Sequence, residues 1–168
     1  MQATQTTQQG QNGRHARTTQ TITPFLWFND NAEEAMNYYT SVFKDSKKGD
    51  VVRAGDKVMS VTFELNGQKF MGLNGGPQFA FTEAISFFIE VETQEEVDYY
   101  WNHLSEGGET SRCGWLKDKF GLSWQVIPTA LGELMGDDDA EKAGRVMQAM
   151  MGMEKIEIAG LQRAYEGK

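Results

Sequence analysis

The sequence predicts an α+β fold in which two βαβββ modules follow one another and extra helices close the chain. Three observations lead there. The element signals run strand, helix, strands, and then run in that order again. A shift of 62 positions lays Phe25 on Phe87, Asn31 on Thr93, Glu34 on Glu96 and Tyr38 on Tyr100. A shift of 54 lays Gly67 on Gly121 and Phe70 on Trp124. A repeated element order with both helix starts in register reads as a duplication. Two open sheets, each oily on the side its helix covers, leave curved faces free to enclose a ligand.

The elements follow in order. Eleven of the first twenty residues are Gln or Thr, so residues 1–20 are expected to be a solvated tail. The first module spans 21–77. Ile22 to Phe28 is rich in strand formers, with Pro24 confining it to an edge or to a site needing no ladder donor. Asn31 stands three residues before Glu34, a capping-box spacing, and opens a helix with Ala32, Ala35, Met36, Tyr39 and Phe43 on one stripe. Lys44, Lys47 and Lys48 read as a solvated helix exit. Val51 to Arg53 is a weak strand and Val58 to Leu65 a stronger one; Asn66-Gly67 signals a type I′ hairpin into Gln68 to Leu73.

Asn74-Gly75-Gly76-Pro77 breaks the pattern and reads as a plain connection to the second module, 84–128. Ala84 to Val91 is its first strand. Thr93 and Glu96 repeat the capping-box spacing, and Val97, Tyr100, Trp101 and Leu104 form the stripe of a helix ending at Gly107-Gly108. Cys113 to Pro128 then reads as two strands folded back through Asp118-Lys119-Phe120-Gly121, whose Asp opening and Gly closing suit a type I turn. Alternation on the return strand sets Ser123, Gln125 and Ile127 on one face and Leu122, Trp124 and Val126 on the other. In the C-terminal helical region, 129–168, Asp137 to Asp139 favour a helix start, Ala143, Val146, Met147 and Met150 form a stripe, and a last helix runs from about Glu154 to Tyr165. Core packing and a subunit interface both remain open for the methionine stripe.

Composition narrows the function. The formal charge is −8, and the tail holds two of the 16 basic residues and none of the 24 acidic ones, so the folded part carries −10. Nucleic-acid binding needs clustered Lys and Arg and is not expected. No apolar run approaches membrane-spanning length, and one cysteine makes no intramolecular disulfide, so a reducing, cytoplasmic setting is expected. His15 lies in the tail, and His103 has no carboxylate partner that the sequence identifies. No nucleophile–histidine arrangement follows, and the catalytic residues, if any, stay unknown. Cys113 reads as a small buried residue, with a cavity thiol as the sharper alternative. Alternation places Met71, Leu73, Ser86, Ser123 and Gln125 on the concave faces with Trp115 near the mouth, and Trp27, Phe70 and Trp124 on the helix-packed faces. That inventory suits a small amphipathic molecule.

The segments ITPFLWFNDNAEEAMNYYTSVF, LNGGPQFAFTEAISFFIEV and CGWLKDKFGLSWQVIP resemble the PhnB-like subfamily of the vicinal oxygen chelate superfamily, the glyoxalase and bleomycin-resistance fold. Its members are often labelled 3-demethylubiquinone-9 3-methyltransferase domains, and the resemblance runs from about Ile22 to Leu161. It implies a homodimer in which modules of two chains complete each site. In metal-using members it also implies ligands near the start of each module's first strand and in each module's last strand. The matching positions here are Pro24, Met71, Ser86 and Gln125, which lack the usual His and Glu, so neither a metal nor another cofactor is expected. The expectation is a metal-free binder of a small amphipathic molecule through Met71, Ser86, Trp115, Ser123 and Gln125. The alternative is a divalent-metal lyase or isomerase, or the methyltransferase of the family label, although no Gly-rich loop follows a strand to receive S-adenosylmethionine. A dimeric interaction module without a ligand is a third reading.

Overall fold

The computed structural model describes residues 21–168, so the expected tail lies outside the described residues. Strand β1 (Phe25–Phe28), helix α1 (Ala32–Val42), β2 (Ser46–Ala54), β3 (Lys57–Leu65) and β4 (Gln68–Asn74) build the first module. The second consists of β5 (Ser86–Val91), α2 (Gln94–Ser105), β6 (Glu109–Thr110), β7 (Trp115–Lys117) and β8 (Ser123–Pro128). Helices α3 (Thr129–Met135), α4 (Ala140–Met151) and α5 (Ile158–Glu166) follow. The sheets have matching orders, β1-β4-β3-β2 and β5-β8-β7-β6, with the first strand of each module parallel to the last. The tandem βαβββ architecture is therefore present.

The strand registers refine the repeat. The helix starts Asn31 and Thr93 match at a shift of 62, but the burial of Phe25 to Phe28 (out, in, partly out, in) recurs at Phe88 to Val91, a shift of 63. The loop between strand and helix is one residue shorter in the second module. Phe25 beside Met71 thus corresponds to Phe88 beside Gln125, and the counterpart of Ser86 is Thr23 rather than Pro24.

Local signals held where their partners are local. Thr93 makes the full capping box with Glu96, and Asn66 and Gly67 take φ of 47° and 78°, the left-handed pair that a type I′ turn requires. Asn31 caps nothing with its side chain; the first helical amide, Ala32 N, donates instead to Asn74 Oδ1 at 2.8 Å. Lys47 and Lys48 lie inside β2, a nine-residue edge strand rather than a helix exit and a three-residue strand. Lysine on an edge discourages pairing with other chains. Trp27 sits on the face opposite Leu26 and Phe28, with its Nε1 donating to Gly76 O at 2.9 Å, so it is not part of the helix-packed side.

One core joins the modules. Leu26, Phe28, Val61, Phe63 and Phe70 of the first sheet and Ile89, Val91, Leu116, Trp124 and Val126 of the second pack with α1 and α2 into a single apolar cluster. Its seam is aromatic: Phe70 meets Phe87 at 5.1 Å between ring centres and Phe43 meets Trp124 at 5.5 Å. Inside it Asp118 accepts hydrogen bonds from Tyr39 Oη at 2.7 Å, Trp124 Nε1 at 2.8 Å and the backbone N–H groups of Phe120 and Leu122 at 2.9 and 3.0 Å. A second cluster forms where Ile127 meets Leu131, Val146, Ile156 and Leu161, so the C-terminal helices cover one end of the second sheet. Met150 and Met153 pack into it, whereas Met147 and Met151 are exposed. No helix among the described residues is long and apolar enough to cross a membrane.

Candidate functional site

Because each oily sheet face is spent on the shared core, the other face of each sheet is left open. On the second sheet β8 alternates as expected: Trp124 and Val126 go to the core, while Ser123, Gln125 and Ile127 point the other way. The ladders bring further residues to that face. Trp115 stands opposite Gln125, Lys117 opposite Ser123, and Ser86 and Phe88 lie beside Ser123 and Gln125. Gln125 Nε2 donates to Ser86 Oγ at 2.9 Å, which leaves the amide oxygen as the acceptor for another partner. Trp115 and Ser123 line a cavity of about 480 Å³ together with the rim residues Glu109, Arg112, Cys113 and Lys117.

Ser123 is the unusual member. It is 1% exposed, and its Oγ is the buried side-chain polar atom among the described residues that has no hydrogen-bond partner. A buried hydroxyl left unpaired costs about 1–3 kcal/mol. Ser123 also lines the cavity, and with under 1 Å² of its oxygen accessible the hydroxyl must turn toward that space before an occupant supplies the partner and offsets the cost.

Rim electrostatics are set by Lys117 and Glu83, whose Nζ and Oε1 are 2.5 Å apart. That hydrogen bond holds the Glu83 carboxyl below, and the Lys117 ammonium above, their ordinary ranges. Cys113 takes a left-handed φ of 59°, and its thiol donates weakly to Met150 O at 3.7 Å.

Of the five expected residues only Trp115 and Ser123 line this cavity; Ser86 and Gln125 stand beside it on the same face, and Met71 is not brought to it. Met71 lies on the open face of the first sheet, paired with Phe25, and lines a separate hollow of about 320 Å³ with Thr23, Lys47, Lys48 and Lys69. Four of the five expected residues, Ser86, Trp115, Ser123 and Gln125, share one face, and the fifth faces elsewhere within the chain. Arg112 and the Glu83–Lys117 pair were not foreseen. Arg112 and Glu83 lie in connections, which carry no periodic signal, and Lys117 ends a three-residue strand too short to show one, so only the fold shows that they reach a cavity.

With the register corrected, the positions that the resemblance marks for metal ligands are Thr23, Met71, Ser86 and Gln125, two hydroxyls, a thioether and an amide, and the Ser86 and Gln125 side chains are bonded to each other. Among the described residues no group of three or more His, Cys, Asp or Glu is placed to hold a metal ion. His103 is remote from this chemistry: its Nδ1 lies 2.7 Å from Tyr99 O on the last turn of α2.

Comparison with known proteins gives the same outline. The family model described as 3-demethylubiquinone-9 3-methyltransferase matches residues 20–127. A structure from Bacillus cereus, described as a putative 3-demethylubiquinone-9 3-methyltransferase, PhnB protein, is 38% identical; the match covers 65% of this chain and 99% of that one, with a TM-score of 0.61. Protein PA1353 of Pseudomonas aeruginosa is similar in fold, at 22% identity over 64% of this chain and 96% of its own, with a TM-score of 0.56. No curated protein matches the chain.

Proposed function

The chain belongs to the 3-demethylubiquinone-9 3-methyltransferase-like family, the PhnB-like branch of the vicinal oxygen chelate superfamily, and on that premise we propose that it binds a small amphipathic molecule without a metal. The ligand sits on the open face of the second module. The first module of a second copy encloses it, so the working unit is a homodimer in the cytoplasm. The observation that carries this reading is the unpartnered, buried Ser123 hydroxyl beside Trp115 in a cavity of about 480 Å³. That volume lies within the range of small-molecule sites.

Two further observations support it. The neutral Ser86–Gln125 pair occupies positions where a divalent cation wants carboxylate or imidazole, and a thioether such as Met71 is a poor donor to hard ions. The donor set therefore does not fit a catalytic metal, and no step of a reaction is routed through one. Phe25 is 53% exposed on one open face and Phe88 56% exposed on the other, and apolar surface of that kind is covered by association.

Native mass spectrometry of protein purified without chelator tests the reading. A dimer carrying a copurified organic compound is expected. Stoichiometric Zn, Ni, Mn or Fe would overturn the metal-free assignment in favour of a lyase or isomerase. S-adenosylmethionine is expected to leave the melting temperature unchanged, and a saturable upward shift would favour methyl transfer.

A further inference from the structure

We infer that the second-module cavity takes an organic acid, with one anionic oxygen group held by Arg112 and a planar body lying against Trp115, whose far oxygen meets the Ser123 hydroxyl. The inference rests on the ligand-binding reading above and adds charge and orientation to it.

Charge comes first. The cavity is lined by two cations and two carboxylates. Lys117 is answered twice, by Glu83 at 2.5 Å and by Glu109, its partner across the β6–β7 ladder. Arg112 is answered by nothing: among the described residues its guanidinium has no hydrogen bond, ion pair or ring contact. A guanidinium offers five N–H donors in a fixed fork that matches the two oxygens of a carboxylate. Lys117, already between two carboxylates, has little left for a third anion, so the anionic end belongs at Arg112.

Orientation comes from the loop that carries Arg112. Ser111 N donates to Trp115 O at 2.8 Å and Trp115 N to Arg112 O at 3.2 Å. The next two residues, Cys113 and Gly114, both take left-handed φ, 59° and 81°. Their N–H groups go to Met153 O and Glu154 O, each at 2.8 Å, and Thr110 Oγ1 donates to Glu154 Oε2 at 3.0 Å. The segment following α4, beyond the residues matched by the family model, thus pins the loop from behind. A non-glycine residue held left-handed is strained, and such strain gathers at ligand clamps. The return is a cavity wall fixed before the ligand arrives, which lowers the entropic cost of binding.

At the other end, Ser123 Oγ has both a donor and two acceptor sites unused. Trp115 lies between, half-buried, on the same face. Cation, ring and hydroxyl in that order describe a flat acid with a second oxygen.

The experiment is calorimetric titration of the full chain at low ionic strength with 6-hydroxy-2-naphthoate, its neutral amide and the corresponding naphthylmethylammonium. The acid is expected to bind about tenfold or more tighter than the amide, as one charge-assisted contact allows, and the cation weakest. Arg112→Gln removes that preference while leaving amide binding in place, and Ser123→Ala weakens acid and amide by the same factor. Equal binding of acid and amide overturns the inference, as does a preference that survives Arg112→Gln. Failure of all three probes up to millimolar concentration overturns it too. If native mass spectrometry still shows a copurified compound, only the charge assignment falls; if it shows none, the binding reading falls with it.

Discussion

Replacing Asp118 with asparagine is the sharpest test of how the two modules are held together. The carboxylate is 3% exposed and takes two hydrogen bonds on each oxygen: Tyr39 Oη and Trp124 Nε1 on Oδ2, the amides of Phe120 and Leu122 on Oδ1. In the Asp118→Asn variant the side-chain carbonyl keeps the two backbone bonds and the NH₂ turns toward Tyr39 and Trp124. A phenol hydroxyl rotates and accepts. An indole N–H only donates, so Trp124, 2% exposed, is left with a buried donor facing a donor. Losing one charge-assisted bond and orphaning its partner costs about 2–4 kcal/mol, part of it offset because the amide brings no charge into the core. A net loss of about 2–3 kcal/mol lowers Tm by roughly 4–12 °C in a chain of this size. Urea unfolding of the full chain, at one fixed protein concentration because association adds to apparent stability, measures it. In a Trp124→Phe background the donor is already gone, and Asp118→Asn should cost about 1–2 kcal/mol less. A loss below about 0.5 kcal/mol, or the same loss in both backgrounds, would refute this account of the seam.

Other outcomes follow from the same geometry. Burial pushes the Asp118 carboxyl above its ordinary value of 3.8, against the pull of its four donors. Its contribution to stability is therefore full below about pH 3.8 and is lost as pH rises through the folded value, so the Asp118→Asn penalty grows as pH falls from 7 toward 4 in paired urea titrations. At the alkaline end, burial first and then the Asp118 and Glu106 charges push the Tyr38 hydroxyl up to about 12, and burial and Asp118 raise Tyr39 well above the usual phenol range. The stability tied to these phenols is complete below pH 10 and lost above it, and ultraviolet titration should show both ionising only as the chain unfolds. Gly114→Ala places a Cβ 2.6 Å from Ile127 Cδ1 and 2.8 Å from Val126 O at a φ of 81°, so it should cost more than about 2 kcal/mol and raise hydrogen exchange of Cys113 and Met153–Ile156 together. Gln125→Ala frees the Ser86 hydroxyl and removes the side-chain amide from the strand position opposite Trp115. It should weaken binding of the copurified compound about fivefold or more with little change in Tm, and unchanged ligand retention would remove Gln125 from the site.

What could be read from the residues was whatever depends on near neighbours. Alternation in Ser123 to Ile127 sorted core from open face because strand side chains alternate whatever the strand pairs with. Thr93 capped its helix because Glu96 is three residues away, and Asn66-Gly67 turned because only such residues rest at positive φ. The order of these elements, met twice, was enough for the tandem α+β fold, while the family rested on the resemblance of three long segments, Ile22 to Phe43, Leu73 to Val91 and Cys113 to Pro128.

Tertiary structure decided everything that depends on partners distant in sequence. Asn31 carried a capping signal, but Asn74, brought alongside by β4, satisfied the helix start instead. A single residue missing from the second strand–helix loop moved the counterpart of Ser86 from Pro24 to Thr23, because one step along a strand changes the face. Asp118 looked like a turn residue and is one, yet it is also the polar tie between the modules, since Tyr39 lies 79 positions away in the chain. Met71 and Gln125 occupy matching places in their modules but lie on different open faces, Met71 lining a hollow of the first sheet and Gln125 standing beside the cavity that Trp115 and Ser123 line, because the oily faces of both sheets close on one core.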